Sequence, residues 1–365
     1  MINVVVVDDS AFMRKALSSM LEKDPEIRVV ATARDGEEGL EMIRQHNPDV
    51  VTLDIEMPRM DGLTALRRIM MEMPRPVLMV SSLTTEGAEA TLKALELGAV
   101  DFIPKQLSKV SLDIVRIEAD LRDKVKEISR RRMLRSPRPM RPAVSTPTVS
   151  SFSASRAAET EAPARPAPVV RSGRPTRDIV AIGVSTGGPP AVQKVLSKLP
   201  ADFPASILIA QHMPAAFTGP FAKRLDGVCN ITVKEAAPGD KLRPGMAFVA
   251  PGGMHIRLDP KGGLSELFVT SEPADALYKP SANVLMESVG LCAGRRALGV
   301  ILTGMGSDGM EGMKVLKQKG GRSIAQSDAT CVVYGMPKAI VDAGLADEIV
   351  DIDDMADAIM AGIYK

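Results

Sequence analysis

Short apolar segments alternate with segments of helical periodicity along most of this 365-residue chain. In the first third, the apolar segments predict strands at 2–7, 28–33, 50–53, 77–80 and 101–103. The last predicted helix places five apolar residues on one face, namely Ile114, Ile117, Leu121, Val125 and Ile128. Five strand–helix units predict a five-stranded parallel (βα)5 sheet, with functional residues at the carboxyl ends of its strands.

The alternation stops between residues 129 and 177, where Arg, Pro, Ser and Ala dominate and only Glu159 and Glu161 are acidic. Such a composition buries too little apolar surface to offset the entropy lost on ordering, and its prolines favour an extended spacer. The arginines could instead bind an acidic partner or an anionic surface. We interpret 129–177 as a solvated tether between domains at 1–128 and 178–365.

The alternation resumes with predicted strands at 179–184, 206–210, 231–235 and 298–302, the last followed by a glycine-rich turn and a helix. This pattern predicts a second doubly wound, mostly parallel α/β domain. Residues 248–271 differ, because Gly and Pro turns separate several short apolar runs. They predict an antiparallel extension.

The bulk composition argues against two classes of partner. The net charge is +1, aromatic residues make up 3% of the chain, and Trp is absent, so little is available to bind nucleic acid. No segment approaches the roughly 20 apolar residues that span a bilayer. The three cysteines lack metal-ligand spacing, which suits reduced thiols. We expect a cytoplasmic protein that binds no nucleic acid and is not embedded in a membrane.

Polar residues stand at the ends of four predicted strands in the first domain. Asp8 and Asp9 end the first strand, Asp54 the third and Lys105 the fifth, while Ser81 follows the fourth. Each acid alone is explained as well by helix capping. Together, three carboxylates at one sheet edge require a cation such as Mg²⁺, which with a lysine would stabilise a phosphoryl group on a carboxylate. Asp54 is the central candidate.

Four motifs resemble those of the response-regulator receiver family over about the first 125 residues. They are Val-Asp-Asp-Ser at 7–10, Leu-Asp-Ile-Glu-Met-Pro at 53–58, Asp-Gly at 61–62 and Phe-Ile-Pro-Lys at 102–105. The family usually has proline after this lysine. Here Gln106 follows, so the cis peptide usual at that point is not expected.

The receiver resemblance implies a role for each polar residue at the sheet edge. Asp54 is then the phosphorylated residue, and Asp8 and Asp9 hold Mg²⁺ together with it. Ser81 bonds the phosphoryl group and Lys105 neutralises it.

A nucleophile-elbow spacing opens the second domain. Gly183-Val184-Ser185-Thr186-Gly187 follows an apolar strand and precedes a predicted helix start at 188–190. Glycines on both sides permit a sharp turn that exposes the Ser185 hydroxyl beside backbone N–H groups. The same spacing also fits a phosphate-binding loop or an ordinary tight turn.

A serine hydrolase needs a base, and the chain has only three histidines. His212 follows the strand at 206–210, in the next βα unit after Ser185, so the two side chains could meet above the sheet edge. His46 fits a helix exit, and His255 follows two glycines where a turn or strand start is expected. The sequence therefore favours His212.

The orienting acid is predicted to be Asp308, which follows the strand at 298–302 within a glycine-rich loop. The usual α/β-hydrolase order would require an acid between Ser185 and His212, and only Asp202 lies there, in a loop away from the carboxyl edge. Triads are defined by geometry rather than by chain order, so Asp308 is the better candidate.

Two other functional classes remain open from the residues alone. Gly304, Gly306 and Gly309, with Asp328 further on, have the spacing of a dinucleotide-binding loop, which would indicate an oxidoreductase. Against this, the loop comes late in its domain and Asp308 would approach the pyrophosphate. A receiver-linked transcription factor would require a basic recognition helix, which the second domain does not suggest.

Five segments of the second domain resemble the chemotaxis protein-glutamate methylesterase (CheB) family: 182–188, 211–214, 250–252, 279–281 and 303–309. The resemblance implies Ser185 as nucleophile, His212 as base and Asp308 as orienting acid. It also implies that Thr186 and Met305 shape the site and its oxyanion hole, with no cofactor for the ester hydrolysis.

The same resemblance implies the biological role. Members hydrolyse glutamyl methyl esters on chemotaxis receptors, deamidate receptor glutamines, and are phosphorylated by the chemotaxis histidine kinase. The unphosphorylated receiver covers the hydrolase cleft. Asn283, where the family commonly has Asp, and the long arginine-rich linker depart from the pattern and bear on substrate contacts and domain docking.

Overall fold

The computed structural model describes residues 1–105, 111–135, 173–258 and 266–365, with side chains of the 111–135 helix described for 117–130. Gln106, and residues 136–172 of the predicted linker, lie outside these ranges. Within the described part of the chain, no helix combines the length and apolar character needed to cross a bilayer.

The first domain is a parallel sheet of five strands in the order β2-β1-β3-β4-β5, with helices on both faces. Its elements are β1 Ile2–Val7, α1 Ala11–Leu21, β2 Ile27–Ala33, α2 Gly36–His46, β3 Val50–Asp54, α3 Gly62–Glu72, β4 Val77–Ser81, α4 Thr85–Glu96, β5 Asp101–Pro104 and α5 Ser111–Arg135. Each predicted strand is found within one residue of its expected bounds. The strands contain apolar residues on both faces because helices cover both sides.

Helix α5 continues past the point where the apolar spacing predicted its end. Leu121, Val125 and Ile128 are buried, as the spacing required, but the helix runs to Arg135. Residues 129–135, which the sequence assigned to the linker, are therefore helical. They are rich in Arg, Met and Leu, which are good helix formers, and a helix anchored by buried residues extends readily into such a segment.

The second domain contains a seven-stranded parallel sheet in the order β14-β13-β12-β6-β7-β9-β8. Its elements are β6 Ile179–Val184, α6 Gly188–Leu196, β7 Ser206–Gln211, α7 Ala215–Asp226, β8 Thr232–Glu235, β9 Met246–Val249, β10 His255–Leu258, β11 Leu267–Thr270, α8 Ala282–Ala293, β12 Ala297–Ile301, α9 Met310–Gln318, β13 Arg322–Gln326, α10 Met336–Asp342, β14 Glu348–Val350 and α11 Met355–Tyr364. The first strand of this domain, β6, lies in the middle of the sheet. The next three strands lie on one side of it and the last three on the other, so the strand order reverses between β6 and β12.

The antiparallel extension is smaller than predicted. In the part of the chain that the structure describes, β10 and β11 pair antiparallel as a separate two-stranded sheet, and an isolated antiparallel bridge joins Lys241 to Glu266. Phe248 belongs instead to β9, where it is 1% exposed in a strand that lies parallel to both neighbours. In sequence, a strand buried on both faces is a short continuous run of apolar residues. Periodicity alone does not show whether such a run belongs to a parallel or an antiparallel sheet, so β9 was wrongly assigned to the extension.

The two domains meet beside the carboxyl edge of the second sheet. Helix α4 packs against α7, and Glu96 forms an ion pair with Arg224. The ring of Phe102 in β5 stacks on Phe217 in α7, with centroids 4.5 Å apart and an interplanar angle of 19°. The α4–β5–α5 side of the first domain therefore faces the second.

We predict that Phe248→Ala lowers the free energy of unfolding by about 3–5 kcal/mol, because it leaves a cavity in the buried apolar core of the second domain. Phe268→Ala in β11, where the ring is 41% exposed, is the matched control and should cost much less. Urea denaturation of the full chain would compare them. Equal losses for both variants would contradict the assignment of Phe248 to the core.

Candidate functional site

Four of the predicted polar residues meet at the carboxyl edge of the first sheet. Asp8, Asp9 and Asp54 each offer a carboxylate oxygen, and these oxygens lie within 4.8 Å of one another. The Nζ atom of Lys105 lies 2.6 Å from Asp54 Oδ2 and 3.2 Å from Asp8 Oδ2. Because carboxylate oxygens are hard ligands, this cluster fits a magnesium ion.

The carboxyl group of Asp54 is strongly affected by its burial. Burial raises its pKa to about 6, with the negative charge of Asp8 acting in the same direction and the hydrogen bond from Lys105 opposing both. The charged form of Asp54 is therefore incompletely compensated by the protein itself. A divalent cation at the cluster would supply the missing positive charge.

The fifth predicted residue, Ser81, is turned toward α4. It is buried at the end of β4, and its Oγ accepts a hydrogen bond of 2.6 Å from the Thr91 hydroxyl. The Ser81 hydroxyl lies 3.2 Å from the carbonyl oxygen of Gly87, to which it donates. The structure therefore places Ser81 at the correct edge but directs its hydroxyl to the helix. Nothing in the sequence singled out Thr91.

Ser185 lies in a sharp turn between β6 and α6. Gly187 has φ +73°, and a Cβ there would lie 2.5 Å from Val332 Cβ. A Cβ on Gly188 would lie 2.2 Å from Gln211 Oε1. Both glycines therefore allow the close approaches of the strand-to-helix turn, and Gly187 is the one that belongs to the predicted motif.

The structure brings Ser185, His212 and Asp308 together in one hydrogen-bonded chain. His212 Nδ1 lies 3.1 Å from Ser185 Oγ, and His212 Nε2 lies 2.8 Å from Asp308 Oδ2. The three residues follow β6, β7 and β12, which are adjacent in the sheet with β6 between the other two. Their chain order is unusual, but the reversal of strand order between β6 and β12 is where open α/β sheets form their sites.

The Asp308 carboxylate lies against the amino terminus of α8. It accepts backbone N–H bonds from Ala282 at 2.6 Å and Asn283 at 3.0 Å, and the Ser281 hydroxyl donates to it at 2.9 Å. Burial alone would raise the pKa of Asp308, but the hydrogen bonds from His212 and these backbone groups outweigh it, so the pKa is lowered. An ionised Asp308 accepts from Nε2–H of His212 and leaves Nδ1 free to accept from Ser185.

Two further residues hold the serine and the histidine in place. The Gln211 side chain donates from Nε2 to the carbonyl oxygens of Ser185 at 3.1 Å and His212 at 3.2 Å. The ring of Tyr278 stacks on His212, with centroids 4.2 Å apart and an interplanar angle of 13°. Sequence reasoning missed both. The position of Gln211 beside His212 was a usable signal, whereas Tyr278 lies in an irregular segment without periodicity.

Thr186 and Met305 line the cleft that contains Ser185 and His212. Thr186 is 2% exposed, and its Oγ1 has no hydrogen-bond partner among the described residues. A buried hydroxyl without a partner is costly unless a ligand or water completes it. The placement is the one expected for residues that shape the site.

Residues of the first domain line the same cleft. Phe102, Asp120 and Lys124 face it together with Ser185 and His212. The ammonium group of Lys124 is paired within its own domain, with Asp101 at 2.9 Å and Asp120 at 3.4 Å. The first domain therefore forms one wall of the cleft, and access to Ser185 depends on where that domain lies.

Comparisons with known proteins identify the family of each domain. A family described as CheB methylesterase matches residues 180–359, and one described as response regulator receiver domain matches residues 4–115. A protein-glutamate methylesterase/protein-glutamine glutaminase of Nitratidesulfovibrio vulgaris is 83% identical, with 100% of both chains covered. This chain belongs to the CheB methylesterase family. Proteins of the same description from Oleidesulfovibrio alaskensis and Lawsonia intracellularis are 73% and 58% identical, again with 100% of both chains covered.

Because the chain belongs to the CheB family, the oxidoreductase and transcription-factor interpretations are not supported. The geometry also argues against both. The N–H groups of Gly309 and Gly312, which a dinucleotide phosphate would need at the start of α9, both donate to Asn283 Oδ1 at 2.9 Å. The second domain, with which a transcription factor would bind DNA, is built on a parallel sheet. Its polar site lies at the strand ends and not on a basic helix.

The other candidate residues lie apart from the hydrogen-bonded chain of Ser185, His212 and Asp308. His46 ends α2 of the receiver, and Asp202 lies in the turn before β7, at the opposite end of that strand from His212. His255 is buried behind the site, where its Nδ1 accepts from the backbone N–H of Ser281 at 3.2 Å. Burial lowers the pKa of His255, which suits a neutral acceptor.

We predict that Asp54→Asn stabilises the receiver in Mg²⁺-free buffer. Asp54 binds its proton more tightly in the folded protein, with a pKa of about 6 against an ordinary 3.8. The free energy of unfolding therefore falls as pH rises through this window, and Asn removes that loss. The gain should be about 1–3 kcal/mol at pH 7.5 and should shrink below about pH 5.

Urea denaturation across pH would measure this difference. Asp24→Asn is the control, because a backbone hydrogen bond from Glu26 and the Lys126 ammonium group lower the pKa of Asp24. That variant should lose stability at neutral pH rather than gain it. A destabilised Asp54→Asn protein at pH 7.5 would contradict the proposed origin of the shift.

Proposed function

We propose that this chain is a phosphorylation-activated esterase that hydrolyses glutamyl methyl esters, and deamidates glutamines, on methyl-accepting chemotaxis receptors. The supporting observation is the hydrogen-bonded chain of Ser185, His212 and Asp308 in a CheB-family protein. The names of its relatives carry both activities. The role fits adaptation in chemotaxis, and the expected cytoplasmic location belongs to this proposal.

The ester reaction proceeds through an acyl-enzyme. Ser185 Oγ attacks the ester carbonyl carbon while His212 Nδ1 accepts the hydroxyl proton, and Asp308 stabilises the imidazolium that forms. Collapse of the tetrahedral intermediate breaks the bond to the methoxy oxygen, which takes the proton from His212 and leaves as methanol. A water molecule then gives a proton to His212 and attacks the acyl carbon. The bond from this carbon to Ser185 Oγ breaks, Oγ takes the proton back from His212, and the glutamate carboxyl is released.

Deamidation follows the same path with a different leaving group. A glutamine side chain presents an amide carbonyl, and protonation by His212 lets nitrogen leave as ammonia. Both substrates yield the same glutamyl acyl-enzyme. Thr186 and Met305, which flank Ser185 in the cleft, would shape the pocket for the developing oxyanion. The chemistry of these steps is complete with the side chains of the site and water.

Phosphorylation is assigned to Asp54, with the chemotaxis histidine kinase as phosphodonor. Asp8, Asp9 and Asp54 would hold Mg²⁺, which would supply charge neutralisation for the incoming phosphoryl group. Lys105, already within 2.6 Å of Asp54, would pair with a phosphoryl oxygen. Ser81 would donate a hydrogen bond to the same group after its hydroxyl turns away from Gly87.

The receiver would inhibit the esterase by covering its cleft, and α4 links the two sites. Thr91 in this helix holds the Ser81 hydroxyl, and Glu96 at its end pairs with Arg224 of the catalytic domain. Rearrangement of Ser81 toward a phosphoryl group removes the Thr91 contact and so loosens the helix that packs on α7. Receptor helices could then reach Ser185.

Ser185→Ala should reduce methanol release from methylated receptor membranes by about 10³-fold or more, because no acyl-enzyme can form. Ser197→Ala, at the end of α6, is the matched control and should release methanol at the wild-type rate. Methanol would be quantified from the phosphorylated proteins. Retention of activity in Ser185→Ala would refute the proposed mechanism.

Asp54→Asn should keep the low basal esterase activity and gain nothing from a small phosphodonor such as acetyl phosphate. Asp24→Asn, which changes a half-buried carboxylate of the same domain outside the phosphorylation cluster, should be activated normally. The measurement is methanol release with and without phosphodonor in the presence of Mg²⁺. Strong activation of Asp54→Asn would show that another residue accepts the phosphoryl group.

A further inference from the structure

Asn283 contacts both sides of the loop that carries Asp308. Its backbone N–H donates to Asp308 Oδ1 at 3.0 Å, within the first turn of α8. Its side-chain Oδ1 accepts from the backbone N–H groups of Gly309 and Gly312, each at 2.9 Å. One residue thus binds the catalytic carboxylate and also fixes the start of the helix that follows it.

The backbone at this point permits little displacement of the amide. Gly309 has φ +100°, and a Cβ on Gly312 would lie 2.2 Å from the Asn283 carbonyl oxygen. Helices α8 and α9 therefore approach one another closely at their amino termini. Because the side chain of Asn283 satisfies two N–H groups across this contact, its loss would free the loop on the carboxyl side of Asp308.

The neutrality of the amide matters as much as its geometry. An aspartate at position 283 would offer the same acceptor oxygen to Gly309 and Gly312 but would add a second carboxylate next to Asp308. Two neighbouring carboxylates repel each other and bind protons and cations more tightly. The protonated imidazole of His212, which cannot act as a base, would then be favoured at a higher pH.

We propose that Asn283 is a positioning residue of the hydrolase site: its amide oxygen fixes the Asp308 loop, and its lack of charge extends esterase activity to lower pH than a carboxylate there would allow. The inference rests on the proposed roles of His212 and Asp308. An aspartate at position 283 would supply the same acceptor oxygen, so the absence of charge is the property that distinguishes the amide there.

Other titratable groups also face His212 and must stay constant in the comparison. Asp308 binds its Nε2 atom and His255 lies behind the site; among the described residues, the other titratable groups that line the cleft are Asp101, Asp120, Asp123, Lys124, Tyr278 and Lys279. A substitution at position 283 leaves all of them unchanged. A difference between the pH profiles of wild type and variant therefore reports the added charge.

The first test is the pH profile of kcat/KM for Asn283→Asp, measured as methanol release by the phosphorylated full chain. We expect a plateau rate within about twofold of wild type, because the acceptor is retained, and an acidic limb shifted upward by about half a pH unit or more. Profiles that superimpose would overturn the electrostatic part of the proposal.

The second test is Asn283→Ala, which removes the acceptor without adding charge. We expect kcat to fall by about tenfold or more with KM nearly unchanged, because Asp308 and His212 lose their fixed geometry. Ser288→Ala is the matched control: Ser288 is buried in the same helix, and its Oγ accepts a 2.8 Å bond from Leu258 N–H. Equal losses of kcat in the two variants, at similar melting temperatures, would overturn the positioning role.

Ser185→Ala in the same assay separates this inference from the proposed function. If that variant retains esterase activity, the hydrolase assignment itself fails. If it is inactive while Asn283→Asp matches wild type at every pH and Asn283→Ala matches Ser288→Ala, the inference alone fails. Should Asn283→Ala not fold, Asn283→Asp and Asn283→Ser supply the comparison, and full activity of Asn283→Ser at a wild-type KM would refute the need for the amide.

Discussion

The hydrogen bond between Asp308 and His212 is the interaction on which the proposed hydrolase site depends. A carboxylate this deeply buried is costly unless several donors satisfy it. The amino terminus of α8 supplies two backbone N–H groups and Ser281 a hydroxyl, so Asp308 stays ionised where water is scarce. Its second role follows directly, because a fixed anion orients the imidazole with Nδ1 toward Ser185. Helix α8 is therefore part of the chemistry although it carries no group that reacts.

Both sites obey the same topological rule, and this accounts for how they come to be coupled. Parallel strands end at one edge, so the acids of β1 and β3 meet in the receiver, and the residues after β6, β7 and β12 meet in the esterase domain. The domains pack with the α4–β5–α5 side of one beside the active edge of the other. Elements that sense phosphorylation are consequently the elements that border the cleft.

The sequence was sufficient to predict the site residues that follow strands. It was not sufficient to predict contacts made by residues in loops. Ser185, His212 and Asp308 were predicted as candidates because each follows a recognisable strand. Tyr278 lies in a segment without periodicity, so its stacking on His212 depends on a fold that no local pattern encodes. The end of α5 was misplaced for a different reason, since apolar spacing marks the buried face of a helix and not the polar turns that extend it.

A receiver that regulates by covering a cleft must be held by contacts weak enough for phosphorylation to release. The contacts of this interface have that character. An aromatic pair such as Phe102 and Phe217 contributes about 0.5–1.5 kcal/mol beyond its buried area, and a partly exposed ion pair such as Glu96 and Arg224 about 0–1 kcal/mol. A ligand shifts an equilibrium only by its differential affinity for the two states. Because each of these two contacts contributes little, loss of the Thr91–Ser81 hydrogen bond with a movement of α4 would, in the proposed regulation, weaken the contact between the receiver and the catalytic domain.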